Sequence, residues 1–593
     1  MRTFRLGGAA LTALAAGRPS RDTVAKLRRA QISRHLLLLS EIVRQPAGKP
    51  PLWYADPATR ADLADPMAAL HTAATLRALR TGTPPPPDRF AATRVLHATH
   101  DGLALRVRLE DADPLRAGLG LTPAGPLSAA EAADWQVVFA DAWQLLVARH
   151  RPAAELLAQV LSVLIPIEPD PGAGGLSATS AHAFGAVALS APADALSLAV
   201  ALIHETQHSL LNATRTLFDL VRDGEATLYS PWRDDPRPAF GLLHGAYAYL
   251  AVSRFWRTEA LPLHDQARDD RACHDRARDA QARDTQARDT QARHDQAGAP
   301  RTAPTPSWAG PRKSGGSDKI LWLSTGRDAG QPHPQPDVDN EWAGAGRLAE
   351  FEFARWRSAV AETADALLAG GSLTDFGRRF VRAMRDEVGD WLGEAVDPTV
   401  ARLAEGANAE HRARWRLRNL VVDRGATAEA WRAGTETPAA GQAGSEPRAA
   451  GQAGSEPPAA GQAESEPPAA VRAGSEPPRV ELRAGAGRAL GQSERLRLVH
   501  RVLREGDQSL RPGCGVRPGD LAYLGGDPGT ALDAYLKDLE SLTPADPPSP
   551  HELEVWAGIA VVAGHERPEL LRARYLATGN VDLPSGRLNS PAP

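Results

Sequence analysis

The chain has 593 residues, about four times the length of a common single domain, so several hydrophobic cores are expected. Its 68 Lys and Arg residues nearly balance 72 Asp and Glu residues. The resulting net charge of −4 argues against a nucleic-acid or anionic-membrane surface built on bulk charge. Two Cys residues exclude a disulfide framework, a thiolate zinc finger and an iron–sulfur cluster, which leaves 17 His residues as the main candidate metal ligands.

The first 150 residues are expected to be helical. Apolar residues recur at helical spacing in residues 22–42 and again in residues 130–148. The start of the chain also resembles a short signal peptide, because Arg2 and Arg5 precede an apolar stretch. Glycines interrupt that stretch, and the sequence contains no run of 18 apolar residues. We therefore expect a cytoplasmic protein that has no membrane partner.

Short strands are expected from about residue 160, before a long buried helix. Residues 163–167 are rich in β-branched side chains, and a second apolar run covers residues 183–189. Asp194 then opens a helical segment that extends to Val221 and is apolar on most faces. Together these patterns predict a mainly α fold with a small β element, of the α+β class.

Two segments contain too few apolar residues to form a core. Residues 265–316 include tandem QARDT units, and residues 434–479 repeat an AAGQAGSEP-like unit. We interpret both as low-complexity surface insertions or linkers. The other predicted regions are an N-terminal helical region (1–150), a metal-site core (151–264), a helical region that packs on this core (317–433) and a C-terminal helical, tetratricopeptide-like region (480–593).

The strongest functional signal is the sequence HETQH at residues 204–208. His204 and His208 are four residues apart, so both imidazoles lie on one helix face and can bind one metal ion. Glu205 lies beside the positions that remain open for other ligands. A chain of this composition is expected to contain about 0.03 such motifs by chance. The motif therefore predicts a metal site.

An ion bound by two His residues needs a third protein ligand from further along the chain. His244 lies near the start of the next apolar helix, where it can turn inward beside the motif. We predict His244 as the third metal ligand. The alternatives are Glu225, Asp234 and Asp235.

The motif and its surroundings resemble the bacterial α-ketoglutarate-dependent HExxH-type peptide β-hydroxylases. The resemblance is carried by AFGAVALS, LAVALIHETQHSLLNA, YSPWRDDPRP and GLLHGAYAYLAV, and it extends more weakly to the helical ends of the chain. It implies a mostly helical fold with a minor sheet, an Fe(II) ion, and α-ketoglutarate and O₂ as cosubstrates. The implied partner is a ribosomally made precursor peptide. The two insertions depart from the family pattern without touching the motif residues.

The distal carboxylate of α-ketoglutarate requires a cation. Arg233 and Arg237 of the WRDDPRP segment are candidates for a bidentate clamp, and the alternative is that they form salt bridges with Asp234 and Asp235. Weaker candidates for supporting residues are Tyr229 and Tyr247.

Two other functions remain open at this point. In a zinc metallopeptidase Glu205 would be the general base that activates a zinc-bound water, whereas in an oxygenase it would bind or orient a ligand. A helical binding protein that keeps the motif for structural reasons is the third hypothesis. The intact residues His204, Glu205 and His208 favour an enzyme.

Overall fold

The computed structural model describes most of the chain outside the two insertions. The described residues are 4–45, 63–87, 94–169, 175–222, 224, 227–260, 338–422, 480–483, 491–506, 510, 516–581, 583 and 588. This part is mainly helical with a small mixed sheet, which confirms the predicted fold class. The low-complexity segments predicted at 265–316 and 434–479 lie outside the described residues.

The described part of the first half is mainly helical, and one of its helices carries HETQH. Its helices are α1 (Gly8–Ala15), α2 (Arg21–Arg44), α3 (Pro66–Thr81), α4 (Ala129–Arg149), α5 (Arg151–Val160), α6 (Ala195–Arg215) and α7 (residues 239–260). The later helices are α8 (Val338–Ala369), α9 (Asp375–Leu392), α10 (Pro398–Asn419), α11 (Glu494–Glu505), α12 (Pro518–Leu524), α13 (Pro528–Ser541), α14 (Pro550–Ala563) and α15 (Pro568–Thr578). None of the helices among the described residues has the length and apolar character needed to cross a membrane.

A five-stranded mixed sheet packs beside these helices. Its order is β1-β2-β3-β5-β4, and its strands are β1 (Val95–His100), β2 (Leu103–Leu109), β3 (Val163–Ile167), β4 (Ser177–Ala178) and β5 (Ala186–Ser190). Strands β2, β3 and β5 run parallel, and an antiparallel strand pairs with each edge of this group. Two short antiparallel ladders join β6 (Thr227–Leu228) to β7 (Arg237–Pro238) and β8 (Leu420–Val422) to β9 (Val480–Leu482).

Strands β1 and β2 contradict the expectation that residues 1–150 are entirely helical. The two strands form a hairpin that turns at Asp101 and Gly102, whose φ angles are 42° and 73°. An Asp-Gly pair favours this turn because both central residues adopt positive φ. Leu105 and Val107 alternate with exposed residues along β2, which is the strand period of two. The sequence carries both signals, between two segments that have helical spacing.

One large apolar core joins segments that are far apart in sequence. Leu14 of α1, Leu210 of α6, Leu242 of α7, Val360 of α8 and Phe380 of α9 are all fully buried in it. Complete burial of such a side chain contributes about 1.5–3 kcal/mol. A second cluster packs the sheet against α4, α6 and α7. Both clusters include residues of α6, so the HETQH helix is held on several sides by packed apolar side chains.

The C-terminal helices pack against α10. Leu417 of α10 shares a buried cluster with Tyr535 and Trp556. Arg416 donates two hydrogen bonds to the Glu569 carboxylate, at 2.9 and 2.6 Å. The region predicted to be tetratricopeptide-like therefore covers one side of α10.

The second low-complexity insertion connects two paired strands, because Val422 of β8 lies opposite Val480 of β9. We expect that replacing residues 434–478 with a short Gly/Ser linker leaves the free energy of unfolding unchanged or raises it by up to about 2 kcal/mol. The reason is that each halving of loop length returns only about 0.6 kcal/mol of closure entropy. Denaturant unfolding and metal titration of this variant and the full chain test the expectation. A clearly less stable variant, or one that loses metal binding, would show that the insertion has a structural role.

Candidate metal centre

Helix α6 carries the HETQH motif into the protein interior. The Asp194 side chain caps the helix by accepting a hydrogen bond of 2.7 Å from the Ser197 amide. Leu202 and Leu210 flank the motif and are buried. Because these apolar anchors fix the rotation of the helix, the motif residues face a fixed set of neighbours.

The two motif histidines converge on one point. Nε2 of His204 and Nε2 of His208 are 2.9 Å apart, and the two rings are perpendicular, at 89°. Oε1 of Glu205 lies 4.0 Å from the same nitrogen of His204. Ligand atoms of these three residues all lie within 4.8 Å of one another. Small side-chain rotations would allow both nitrogens to bind one ion at the usual distance of about 2.0–2.1 Å.

Both histidines are held in the state that binds metals. Burial lowers the pKa of His204 to about 4, and the neighbouring His244 adds to the effect. Burial also holds the pKa of His208 well below its ordinary value, with His204 and His244 as further causes. The two imidazoles are therefore neutral at pH 7, and only the neutral ring offers a lone pair to a metal ion. These residues thus fit a metal.

Glu205 is a buried carboxyl group with one oxygen held in place. Ser177 of β4 donates a hydrogen bond of 2.7 Å to Oε1. Oε2 is buried and makes no hydrogen bond of ordinary geometry to the described residues. Burial raises the pKa of Glu205 to about 7, while the hydroxyls of Ser177 and Thr179 oppose the rise. Glu205 is therefore able to gain or lose a proton near neutral pH.

Ser177 was not among the residues that the sequence singled out. It belongs to a Gly/Ser-containing stretch, and no motif marks it. It reaches Glu205 because β4 pairs with β5, with Ser177 opposite Leu189, at the edge of the sheet beside α6. Only the strand register brings this hydroxyl to the motif.

His244 lies against His208, although not in the arrangement predicted for a third ligand. The two rings are stacked, with centroids 3.8 Å apart and planes 6° from parallel. The lone pair of an imidazole lies in the ring plane, so stacked rings do not direct their nitrogens at a common ion. Accordingly, His244 is not part of the cluster of three. Its predicted ligand role requires a rotation of its ring and stays a prediction. Burial, assisted by the charge of Arg215, lowers the pKa of His244 to about 4.

No contact among the described residues connects the alternative third ligands to the motif. Glu225 lies outside the described residues. The carboxylate of Asp235 is ion-paired with two arginines, and the backbone carbonyl of Asp234 accepts a 2.7 Å hydrogen bond from Asn419. Neither Asp234 nor Asp235 belongs to the cluster of three around the motif.

Arg233 and Arg237 form the salt bridges that were the alternative to a carboxylate clamp. Their Nε atoms lie 2.8 and 3.0 Å from the two oxygens of Asp235. The side chain of Arg233 is half exposed. Both cations already have an anionic partner, so binding of α-ketoglutarate by them would require breaking these pairs.

The two tyrosines that were weaker candidates have separate environments. Tyr229 OH lies 3.0 Å from Nδ1 of His411 on α10, and burial raises the pKa of this tyrosine above its ordinary value. Tyr247 is fully buried and donates a hydrogen bond to the Leu14 carbonyl. Tyr247 is therefore part of the core that supports α7.

A cluster of aromatic side chains packs against His204 of the motif. Tyr249 meets His204 edge-on at 5.2 Å, Trp232 stacks on Tyr249 at 5.0 Å, and Trp356 lies 4.3 Å from Tyr249 between ring centroids. The side chain of His204 is 21% exposed, although burial of its ring lowers its pKa. Tyr249, Trp232 and Trp356 form this aromatic cluster. Sequence reasoning did not single out Tyr249 and Trp356, because their contacts join α7 to α8.

Comparison with known proteins adds no assignment. No protein-family model matches the chain, and no curated protein matches it. Membership in the α-ketoglutarate-dependent peptide β-hydroxylases therefore stays a prediction.

The lowered histidine pKa values have a consequence for metal binding. The neutral, ligating form of His204 persists as pH falls until the pKa of about 4 is reached. We therefore expect Zn²⁺ to remain bound down to about pH 5 and to be lost as pH falls through about 4, because protons compete only in that range. Equilibrium dialysis between pH 7 and pH 4 measures this. Half-release near pH 6.5, the ordinary pKa of histidine, would contradict the expectation.

Proposed function

We propose that the protein is an Fe(II)- and α-ketoglutarate-dependent oxygenase that hydroxylates the β-carbon of a residue in a ribosomally made peptide. The observation that carries the proposal is the convergence of two neutral imidazole nitrogens, 2.9 Å apart, beside the aromatic cluster. Two His ligands leave most of the coordination positions of an iron ion open, as an oxygenase requires. The sequence resemblance supplies the cosubstrate and the class of peptide.

The described residues would have separate roles in such a site. His204 and His208 would hold the ion. When bound, Fe(II) supplies the redox chemistry that activates O₂. Ser177 fixes Oε1 of Glu205 and leaves Oε2 to accept a proton or a hydrogen bond. The aromatic cluster would limit the access of water and offer apolar surface to a peptide side chain.

Succinate formation tests the proposal. Protein reconstituted anaerobically with Fe(II) is mixed with α-ketoglutarate, O₂ and the candidate precursor peptide. We expect slow succinate release without peptide, faster release with it, a gain of one oxygen atom in the peptide and inhibition by Zn²⁺. His204→Ala protein is the control and should give none of these. Iron-loaded protein that releases no succinate with any peptide tested would contradict the proposal.

A zinc metallopeptidase is the second candidate, and the state of Glu205 favours it. Burial raises the pKa of Glu205 to about 7, and its Oε1 lies 4.0 Å from Nε2 of His204. A carboxylate with a pKa near neutral beside a metal site is suited to remove a proton from water. This function predicts Zn²⁺-dependent peptide cleavage that needs no α-ketoglutarate and is abolished by Glu205→Gln. Such cleavage, without succinate or added oxygen, would replace the oxygenase proposal.

A further inference from the structure

A small cavity lies between α2, the segment that leads into α3 and the loop that joins β4 to β5. Its volume is about 20 Å³. A single buried water needs roughly 10–15 Å³, so the cavity admits one small polar group. It is partly open to solvent, and Arg28, Arg34, Asp65 and His182 are among the side chains that line it. No residue of the HETQH motif lines this cavity, so it is separate from the metal centre.

Arg34 of α2 meets His182 of the loop at this cavity. One terminal nitrogen of the Arg34 guanidinium lies 2.6 Å from Nδ1 of His182. A guanidinium can only donate, so Nδ1 accepts the hydrogen bond and the proton of the neutral ring is on Nε2. Burial lowers the pKa of His182, and the charges of Arg34 and Arg77 add to the effect, which keeps the ring neutral at pH 7. The Nε2–H group of His182 is therefore a second donor among the lining residues.

The charge of Arg34 is not balanced by an acidic side chain among the described residues. Burial lowers the pKa of Arg34, and no carboxylate in the described part of the chain opposes this effect. By contrast, the other described arginines whose pKa is clearly shifted each have an acidic neighbour that acts on them. Asp65 also lines the cavity, but its two oxygens accept hydrogen bonds of 3.0 and 3.1 Å from Arg108. The cavity is therefore a region of positive potential.

Arg28 supplies a second cation to the same cavity. It precedes Arg34 on α2, is exposed, and donates a 3.3 Å hydrogen bond to the uncharged backbone carbonyl of Gln159. The donors thus come from two guanidinium groups of a helix and from the imidazole of a loop. A carboxylate presents two oxygens in one plane, which suits a single guanidinium. A phosphate group presents oxygens in several directions and carries up to two negative charges, so it fits this set of donors better.

We infer that this cavity binds a phosphate group, either as free phosphate or as part of a small phosphorylated ligand, through Arg34, Arg28 and His182. The cavity has room for one phosphate oxygen, and its opening to solvent leaves space for the rest of the ligand. This binding site is separate from the metal centre, and it does not depend on the proposed function.

Titration with inorganic phosphate tests the site. The metal-free full chain, in a zwitterionic buffer near neutral pH, is titrated calorimetrically with sodium phosphate while sodium nitrate keeps the ionic strength constant. We expect binding in the millimolar range or tighter and a melting temperature that rises with phosphate. Arg34→Met should bind phosphate at least roughly 10-fold more weakly, the range for a lost charge-assisted contact. Arg34→Lys should retain part of the affinity.

Arg29→Met is the matched control on the same helix. Arg29 is exposed and does not line the cavity, so this variant removes the same charge without changing the site. It should keep wild-type phosphate affinity. Arg28→Met is a second test variant at an exposed position, where folding should be unaffected, and it should weaken phosphate binding several-fold. Zn²⁺ binding in phosphate-free buffer should be the same in all variants, which verifies their fold.

Three results would overturn the inference. They are no phosphate binding by wild-type protein, unchanged affinity in Arg34→Met, and an equal loss in Arg29→Met and Arg34→Met, which would show binding by general surface charge. If Arg34→Met also loses Zn²⁺ binding, its fold is damaged and Arg28→Met decides instead. Unchanged phosphate affinity in Arg28→Met would then overturn the inference.

A second titration, with glycerol phosphate, identifies the source of the phosphate group. Tighter binding of glycerol phosphate than of inorganic phosphate would assign the site to a small phosphorylated ligand. Tighter binding of inorganic phosphate would assign it to free phosphate. Either preference supports the site only if Arg34→Met loses it.

Discussion

Replacing His208 with alanine is expected to abolish stoichiometric metal binding. Nε2 of His208 is one of two nitrogens that converge at the site, and its removal leaves only His204 and Glu205 within the cluster. Loss of a residue that merely supports a ligand costs about 10- to 100-fold in metal affinity, so loss of a ligand should exceed about 100-fold. His204→Ala should have the same effect. Metal analysis and calorimetric titration with Zn²⁺ and Mn²⁺ measure it.

Two further variants, His244→Ala and a substitution of a remote histidine, show whether the loss of metal binding is specific to residues at the site. We expect His244→Ala to weaken metal binding by roughly 10-fold or more, because the ring supports His208 by stacking or binds the ion after rotation. His150→Ala is the control, since His150 is buried like His208 but pairs with Glu259. It should retain full metal affinity. Full metal content in His208→Ala protein would remove the basis for a metal centre, and full affinity in His244→Ala would move the third ligand elsewhere.

Gly377→Ala is expected to destabilise the protein by about 3 kcal/mol, at the upper end of the usual cost of overpacking. A Cβ atom at Gly377 would lie 1.8 Å from the carbonyl oxygen of Leu220. The neighbouring atoms are backbone, so they cannot move aside by a side-chain rotation. The contact is reinforced by the Thr374 amide, which donates to the same oxygen at 3.1 Å. Denaturant unfolding measures the change.

Gly389→Ala in the same helix is the matched control. Among the described residues, the only atom within 4 Å of its added Cβ is the end of the flexible Arg385 side chain, at 3.0 Å. Alanine in a helix interior is favoured over glycine by about 0.8–1 kcal/mol, so this variant should be as stable as wild type or more stable. Equal stabilities of the two variants would contradict the close-approach argument. Because Leu220 follows α6 closely, Gly377→Ala should also weaken metal binding.

The sequence alone determined the parts of this protein that depend on local spacing. An α-helix places residues four positions apart on one face, so HETQH was sufficient to predict that His204 and His208 face one point. Helical periodicity was likewise sufficient for the mainly α class. The Asp101-Gly102 hairpin is also encoded locally, by its turn residues and by the alternation of buried and exposed residues along β2.

The tertiary structure decided which distant side chains meet. Ser177 reaches Glu205 through the pairing of β4 with β5, and His244 stacks on His208 because α7 packs against α6. The choice between a clamp and salt bridges for Arg233 and Arg237 depended on where Asp235 lies. Such contacts join residues across long stretches of chain, and they are fixed by the burial of apolar surface over the whole fold, which no local pattern encodes.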